Sequence, residues 1–305
     1  MLQIKFDLQN TKTGVACGVA SGLFSFLCMN FLLGFPILTS VPIYIAFILF
    51  GNTSGVISTV LSSGIILGMI PFRVAGDILI NSILPSAIIG YYFTKSMKIK
   101  NKIWWYPESL IIRNFVLYSF AAVAILSYSV FSESYMQQVV QQTLDVFVRT
   151  DNFLQQAALE KKFLDIIPFT VGFEVMIKMF VTVFNLRIAL WTLRNTSIKR
   201  KQFIMKNLNV PSWMALAPLV ALTLSYLLPS LSFVLKGLSV IGFFGVGLVG
   251  NSIVHDIAEA KQLKGVLIAY WISLLILFTP TLLLIILLGT IDSLYPLRKK
   301  LSEMV

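Results

Sequence analysis

The sequence predicts an all-α protein, a polytopic bundle of transmembrane helices with about eight to nine spans. Of its 305 residues, 57% are hydrophobic and only 12% are charged, and the mean hydropathy is +0.86. A soluble domain carries about 25% charged residues, so a soluble enzyme is excluded. Several apolar runs reach the roughly 20 residues that a helix needs to cross a bilayer. The 24 Lys and Arg residues outnumber the 13 Asp and Glu residues, and they cluster between these runs, as in the loops of membrane proteins.

Five spans are predicted before the composition changes. They are Gly14 to Gly34, Pro36 to Phe50, Ser54 to Ile70, Val74 to Phe93 and Leu110 to Val130. The second and third are short, and the turn-prone residues 51–53 separate them. From 132 to 165 the chain is rich in Gln and mixed charge, with apolar residues every three to four positions. This spacing predicts an extracytoplasmic amphipathic helical insertion.

Four more apolar segments follow the insertion. They are Ile166 to Leu193, Pro211 to Leu228, Leu231 to Gly250 and Gly265 to Gly289. Because no soluble segment is appended, we expect residues 1–305 to form one integral membrane domain. Its parts are five spans in 1–131, the insertion in 132–165 and the C-terminal spans in 166–305.

The basic residues predict the orientation of the first six spans. Lysines between 95 and 102 and basic residues between 194 and 206 form two loops, which the positive-inside rule places in the cytoplasm together with the N-terminus. Nine spans would leave the basic residues 298–300 outside, so length favours nine spans, whereas charge favours eight or ten. Two explanations stay open: the glycine-rich stretch 237–250 is re-entrant, or Pro280 splits the last segment into two half-helices.

Two charge pairs within the apolar segments predict a candidate polar pocket. Arg73 and Asp77 are four residues apart, as are Glu174 and Lys178, so each pair lies on one helix face. Charges near the bilayer centre are costly and mark functional sites by default. If the fourth and sixth spans are neighbours, both pairs and Asn81 line one outward-facing pocket. The alternative is that each pair neutralises itself and reaches the interface separately.

Three glycines of the first span predict a helix-packing face. Gly14, Gly18 and Gly22 recur every four residues, a spacing that lets another helix backbone approach closely. The face serves either packing within the chain or docking to a partner subunit.

Enzyme and cofactor motifs are absent from the sequence. It contains no H-E-x-x-H, no G-x-S-x-G and no phosphate-binding G-x-x-x-x-G-K-[ST]. The single histidine, His255, cannot form a multi-histidine zinc site. The basic residues do not form the continuous face that nucleic acid requires. We expect no catalytic residue, no metal, no cofactor and no nucleic-acid partner.

Two regions of the sequence resemble a known family. Pro280 with the leucine-rich run to Gly289, then residues 290–293 and 298–300, and the early stretch 36–51 with Pro42-Ile43-Tyr44, resemble the YybS-like family of uncharacterised bacterial membrane proteins (domain of unknown function 2232). That family is distantly similar to the substrate-binding subunits of energy-coupling-factor transporters. In those subunits a motif like the three glycines packs against the coupling subunit. The spans after residue 206 depart from their six-helix form.

These features predict a multi-pass protein of the bacterial cytoplasmic membrane. Its expected function is that of a transporter-type substrate-binding membrane subunit that is energised by a separate partner subunit. The alternative function is a non-catalytic membrane scaffold in cell-envelope or cell-shape assembly. The lipid bilayer is its expected surrounding, and the residues do not specify a small-molecule ligand.

Overall fold

The computed structural model describes residues 8–31, 38–99, 102–130, 153–194, 208–260, 262–295 and 297–298. Most of these residues are helical, as the sequence predicts. The helices are α1 (Leu8–Phe31), α2 (Val41–Met69), α3 (Phe72–Ile78), a π-helical turn (Leu79–Ile83), α4 (Leu84–Thr94), α5 (Glu108–Val130), α6 (Phe153–Thr192), α7 (Ser212–Leu227), a 3₁₀ turn (Pro229–Leu231), α8 (Ser232–Ala260), α9 (Lys264–Ile276) and α10 (Phe278–Leu294).

Six helical stretches of the described residues are long and apolar enough to cross a membrane, and three shorter apolar helices lie after residue 210. Large apolar side chains point outward from these helices; Phe180, Trp191 and Ile276 are 60% or more exposed. Helices that are apolar on their outer as well as their inner faces are typical of a membrane protein. The predicted all-α class and the apolar helices long enough to cross a membrane are confirmed, whereas the count of eight to nine spans stays a prediction.

The chain forms two compact units. Unit 1 comprises Met1–Tyr118 and Ile177–Met205, and unit 2 comprises Ser119–Met176 and Lys206–Val305. The boundaries fall inside α5 and α6, and the composition does not mark them. Each unit is therefore described by itself.

In unit 1, α2 is a hairpin of two helical arms, 41–50 and 52–69. Gly51 has φ 82° and ψ −176°, outside the helical region. The Ser21 hydroxyl reaches both the Thr39 carbonyl, at 2.7 Å, and the Ser62 hydroxyl, at 2.9 Å. Twenty-three residues of straight helix would span about 35 Å, so the chain reverses at Gly51. The reversal lies within the turn predicted at 51–53.

The three glycines of α1 pack against the second arm of this hairpin. A Cβ atom on Gly14 would lie 2.8 Å from the Ser54 carbonyl oxygen, and one on Gly18 would lie 2.8 Å from that of Ser58. A Cβ atom on Gly22 would lie 2.7 Å from the Ile65 side chain. The predicted helix-packing face is thus covered from within the chain.

The first predicted basic loop is a short β-hairpin in unit 1. Strands β1 (Ser96–Ile99) and β2 (Lys102–Trp105) pair antiparallel, with Ser96 opposite Trp105. The second basic loop, 195–207, lies outside the described residues. So does 131–152 of the predicted insertion, whereas 153–165 forms the beginning of α6.

In unit 2, α7 to α10 form two hairpins. A Cβ atom on Gly242 of α8 would lie 2.8 Å from Pro218 of α7, so these two helices pack on either side of the turn at Pro229–Leu231. Leu277 separates α9 from α10, and the Ser273 and Thr281 hydroxyls meet across it at 3.3 Å. A proline ring clashes with the carbonyl four residues earlier, so Pro280 excludes a helix that continues through residue 276.

The alternative that the glycine-rich stretch 237–250 is re-entrant is wrong, because α8 is continuous from Ser232 to Ala260. Its glycines allow close helix contacts instead. A Cβ atom on Gly250 would lie 1.9 Å from the Ile285 carbonyl oxygen of α10.

An ion cluster joins the ends of three helical segments in unit 2. The Arg298 guanidinium contacts Asp292, at 2.7 Å, and Asp256, at 3.1 Å, and it also donates to the Leu208 carbonyl. The C-terminal ends of α8 and α10 and the beginning of α7 therefore meet at one end of the unit.

Candidate functional site

A group of buried polar side chains lies at the middle of the helices of unit 1. It is called the central polar cluster here. Its members are each 3% or less exposed: Ser21, Ser25, Thr39, Ser40, Ser62, Asn81, Ser82, Ser86, Thr182 and Asn185. Ser21 is about 20 Å from the beginning of α1 and about 15 Å from its end, by the rise per residue. Polar groups at this depth are costly in a membrane unless they are bonded or serve a ligand.

A turn before the first arm of α2 brings backbone groups into this cluster. Residues 38–40 form a turn, and the first arm of α2 begins after it at Val41. Because Thr39 bonds to Ser21, this turn lies at mid-helix depth. Leu38 has φ 67°, which is rare for a residue other than glycine. Strained, non-helical backbone at membrane depth is tolerated where it is buried in protein or lines a cavity.

The π-helical turn Leu79–Ile83 presents carbonyls to the same cluster. Pro85 has no N–H, and its ring disfavours a regular bond to the carbonyl of residue 81. Side-chain hydroxyls bond to the carbonyls on either side of residue 81. The Ser82 carbonyl accepts from Ser86, at 2.5 Å, and from Ser40, at 3.4 Å. The Ile80 carbonyl accepts from Tyr118, at 2.5 Å. Single π-helical turns within α-helices are frequent at functional sites.

An ion pair borders the cluster. The Lys178 ammonium lies 2.5 Å from the Asp77 carboxylate, which also accepts a 2.6 Å hydrogen bond from the Asn81 amide. The side chain of Lys178 is 12% exposed and that of Asp77 is 33% exposed. Asp77 and Asn81 are one helical turn apart, so the carboxylate connects the π-helical turn to α6.

Three of the five residues of the predicted pocket therefore meet: Asp77, Asn81 and Lys178. Glu174 is exposed and belongs to the part of α6 in unit 2. The backbone of Arg73 lies in α3, whereas its side chain lies outside the described part of the chain. The sequence did not identify the hydroxyl residues of the cluster, because single Ser and Thr residues in apolar segments carry no distinctive spacing.

Tyr44 connects the first arm of α2 to α6. Its hydroxyl donates to the Thr182 carbonyl at 3.2 Å, and the side chain is completely buried. Thr182 is four residues beyond Lys178, so the ion pair and the Tyr44 contact lie on one face of α6.

Three oxygens of the cluster have no hydrogen-bond partner among the described residues. They are Thr39 Oγ1, Asn81 Oδ1 and Asn185 Oδ1. A buried acceptor without a donor costs about 1 to 3 kcal/mol. These oxygens are available to a ligand that donates hydrogen bonds. Within the described residues there is no group of three or more His, Cys, Asp or Glu side chains that could hold a metal ion.

Comparisons with protein-family models, with curated proteins and with solved structures find no match for this chain.

Proposed function

We propose that the chain is a transporter-type substrate-binding membrane protein and that the central polar cluster with the Asp77–Lys178 pair is its solute site. The observation that carries this proposal is the combination of a turn at mid-depth, from which a helical arm begins at Val41, with three unpartnered buried oxygens among the described residues. Secondary transporters bind their substrates near the bilayer midplane, where discontinuous helices expose backbone groups.

The chemistry of the site favours a small polar solute with N–H or O–H donors. The unpartnered amide oxygens of Asn81 and Asn185 act only as acceptors. Asp77 and Lys178 offer one charge of each sign, so an ionisable group on the solute has a partner. The sequence contains no phosphate-binding loop, and a separate partner subunit energises transport.

The topology that goes with this function has ten crossings. Gly51 lies near the beginning of α1, because Ser54 donates to the Asn10 carbonyl. The chain from the end of α1 to Gly51 therefore counts as one crossing and the second arm of α2 as another, and the hairpins α7–α8 and α9–α10 supply an even number of crossings after α6. Leu208 and Arg298 meet at one end of unit 2, and the positive-inside rule assigns this end to the cytoplasm, because each of them adjoins a basic stretch of the sequence. The N-terminus and the C-terminal tail both lie in the cytoplasm.

Ligand-induced thermal stabilisation tests the proposal. The purified full chain is screened against amino acids, small amines and polyols, and a ligand present at 100 times its Kd raises the stability by about 2.7 kcal/mol. We expect Asp77→Asn and Lys178→Gln to abolish this gain, each measured against its own ligand-free midpoint. Lys12→Gln is the matched control and should retain it, because it removes a charge from an exposed position of α1.

Two outcomes contradict the proposal. One is a stabilising solute whose effect survives both Asp77→Asn and Lys178→Gln. The other is the absence of any stabilising solute together with stoichiometric co-purification of envelope-assembly proteins, which would favour the scaffold function.

A further inference from the structure

A second site lies on unit 1, near the turn of the α2 hairpin. It is an apolar groove of about 340 Å³ between the second arm of α2 and α4. Its lining consists of Phe47, Val56, Thr59, Val60, Ala87, Ile88, Tyr91 and Tyr92. Val56 and Val60 are more than half exposed, so the groove opens on the outer surface of the helices. Apart from the two tyrosines, Thr59 is the residue of this lining that carries a hydroxyl.

The tyrosines at one end of the groove also hold a lysine. Lys95 Nζ lies 5.9 Å from the ring centre of Tyr91 and 5.8 Å from those of Tyr92 and Tyr106. Tyr92 and Tyr106 stack with their centres 4.9 Å apart. Lys95 is exposed, and no carboxylate of the described residues forms an ion pair with it. The groove therefore ends at a positive charge that aromatic rings hold and that has no carboxylate partner among the described residues.

This end of the groove lies at the end of the helices. Thr94 donates a 2.8 Å hydrogen bond to Asn52, next to the reversal at Gly51. The β-hairpin follows directly, and it carries two more lysines, Lys98 and Lys102, and exposed Trp104. Tryptophan, tyrosine and lysine together are typical of the level at which lipid headgroups lie.

We propose that this groove binds one anionic phospholipid, with an acyl chain along the apolar lining and the phosphate at Lys95. The apolar groove alone would accept any acyl chain. The charge at its end selects an anionic headgroup, since basic pockets between helices on the cytoplasmic side bind such headgroups. The acyl chain of the lipid then lies beside Thr59 and Phe47, and its phosphate lies at Lys95.

Native mass spectrometry of the full chain tests this assignment. The protein is equilibrated with an equimolar mixture of phosphatidylglycerol and phosphatidylcholine in detergent, and the ratio of the two bound lipids is measured. We expect phosphatidylglycerol to be preferred and Lys95→Gln to lower the preference about fivefold, the effect of one basic residue near the surface. Lys95→Arg should retain the preference for phosphatidylglycerol.

Two further variants separate the groove from general charge. Lys12→Gln removes an equal charge from α1, which does not line the groove, and should leave the preference unchanged. Val60→Trp fills the groove at an exposed position and should lower the bound amount of both lipids. The proposal is overturned if Lys95→Gln and Lys12→Gln change the lipid preference equally, or if Val60→Trp binds both lipids in full. It is also overturned if the parent chain forms a dimer that Val60→Trp disrupts, because a second copy would then occupy the groove.

Discussion

Replacing Gly51 with alanine tests the reversal of α2, on which the geometry of the solute site depends. At φ 82° and ψ −176°, Gly51 occupies a region that is essentially restricted to glycine, and other residues there cost about 1 to 3 kcal/mol. A Cβ atom at this position would have no atom within 4 Å. The expected loss is therefore purely conformational. If residues 41–69 formed one continuous helix instead, Gly51→Ala would stabilise the chain by about 0.5 to 1 kcal/mol.

The assay is the thermal midpoint of the purified chain in detergent, followed by intrinsic fluorescence. At about 2 to 4 °C per kcal/mol, Gly51→Ala should lower the midpoint by roughly 2 to 12 °C. Gly64→Ala is the control, because Gly64 lies in the same element with open space around it, and its midpoint should stay or rise slightly. Gly51→Asn should not recover the loss, since ψ lies outside the left-handed helical region that asparagine tolerates. A midpoint of Gly51→Ala at or above that of the parent chain would refute the reversal.

Two predictions concern unit 2 and use the same assay. Gly289→Ala should destabilise the chain by about 1 to 3 kcal/mol, because its Cβ atom would lie 2.0 Å from the Val246 carbonyl oxygen and a backbone atom moves aside less easily than a side chain. The control Gly265→Ala, at a position with open space, should not lower the thermal midpoint. An unchanged midpoint in Gly289→Ala would contradict the close contact of α8 and α10. Arg298→Gln should lower the stability by about 3 kcal/mol, because it leaves the buried Asp292 carboxylate without its cation. Adding Asp292→Asn should recover part of this loss, and no recovery would show that the charge of Asp292 is not its cause.

The sequence predicted the local features of the fold better than its long-range contacts. The turn at Gly51 was predicted from the turn-prone residues 51–53, and a break at Pro280 was one of two alternatives that the sequence left open. Both follow from residues that disfavour a continuous helix. The structure places the second break at Leu277, three residues earlier, because the ring of Pro280 acts on the preceding turn. The first arm begins at Val41 rather than near Pro36, and Pro42 in its first turn was an available signal.

The contacts of the candidate site required the tertiary fold. Spacing along each helix suggested pairs of Arg73 with Asp77 and of Glu174 with Lys178. The structure joins Asp77 to Lys178, 101 residues apart in the chain, because an ion pair between helices depends on which faces meet. The same limit applied to Arg298. Its position in a basic tail indicated orientation, whereas its contacts with Asp256 and Asp292 depend on the packing of α8 and α10.

The first arm of α2 connects the two proposed sites of unit 1. The turn directly before it carries Thr39 and Ser40 into the central polar cluster, and Phe47 near its end lines the proposed lipid groove. The Phe47 ring fits between two glycines; a Cβ atom would lie 2.3 Å from it on Gly55 and 2.6 Å from it on Gly90. Packed interiors respond to small shifts by discrete rearrangement rather than by gradual deformation. If the groove binds a lipid and the cluster binds a solute as proposed, we expect a lipid beside Phe47 to hold the arm in place, and with it Thr39 at the solute site.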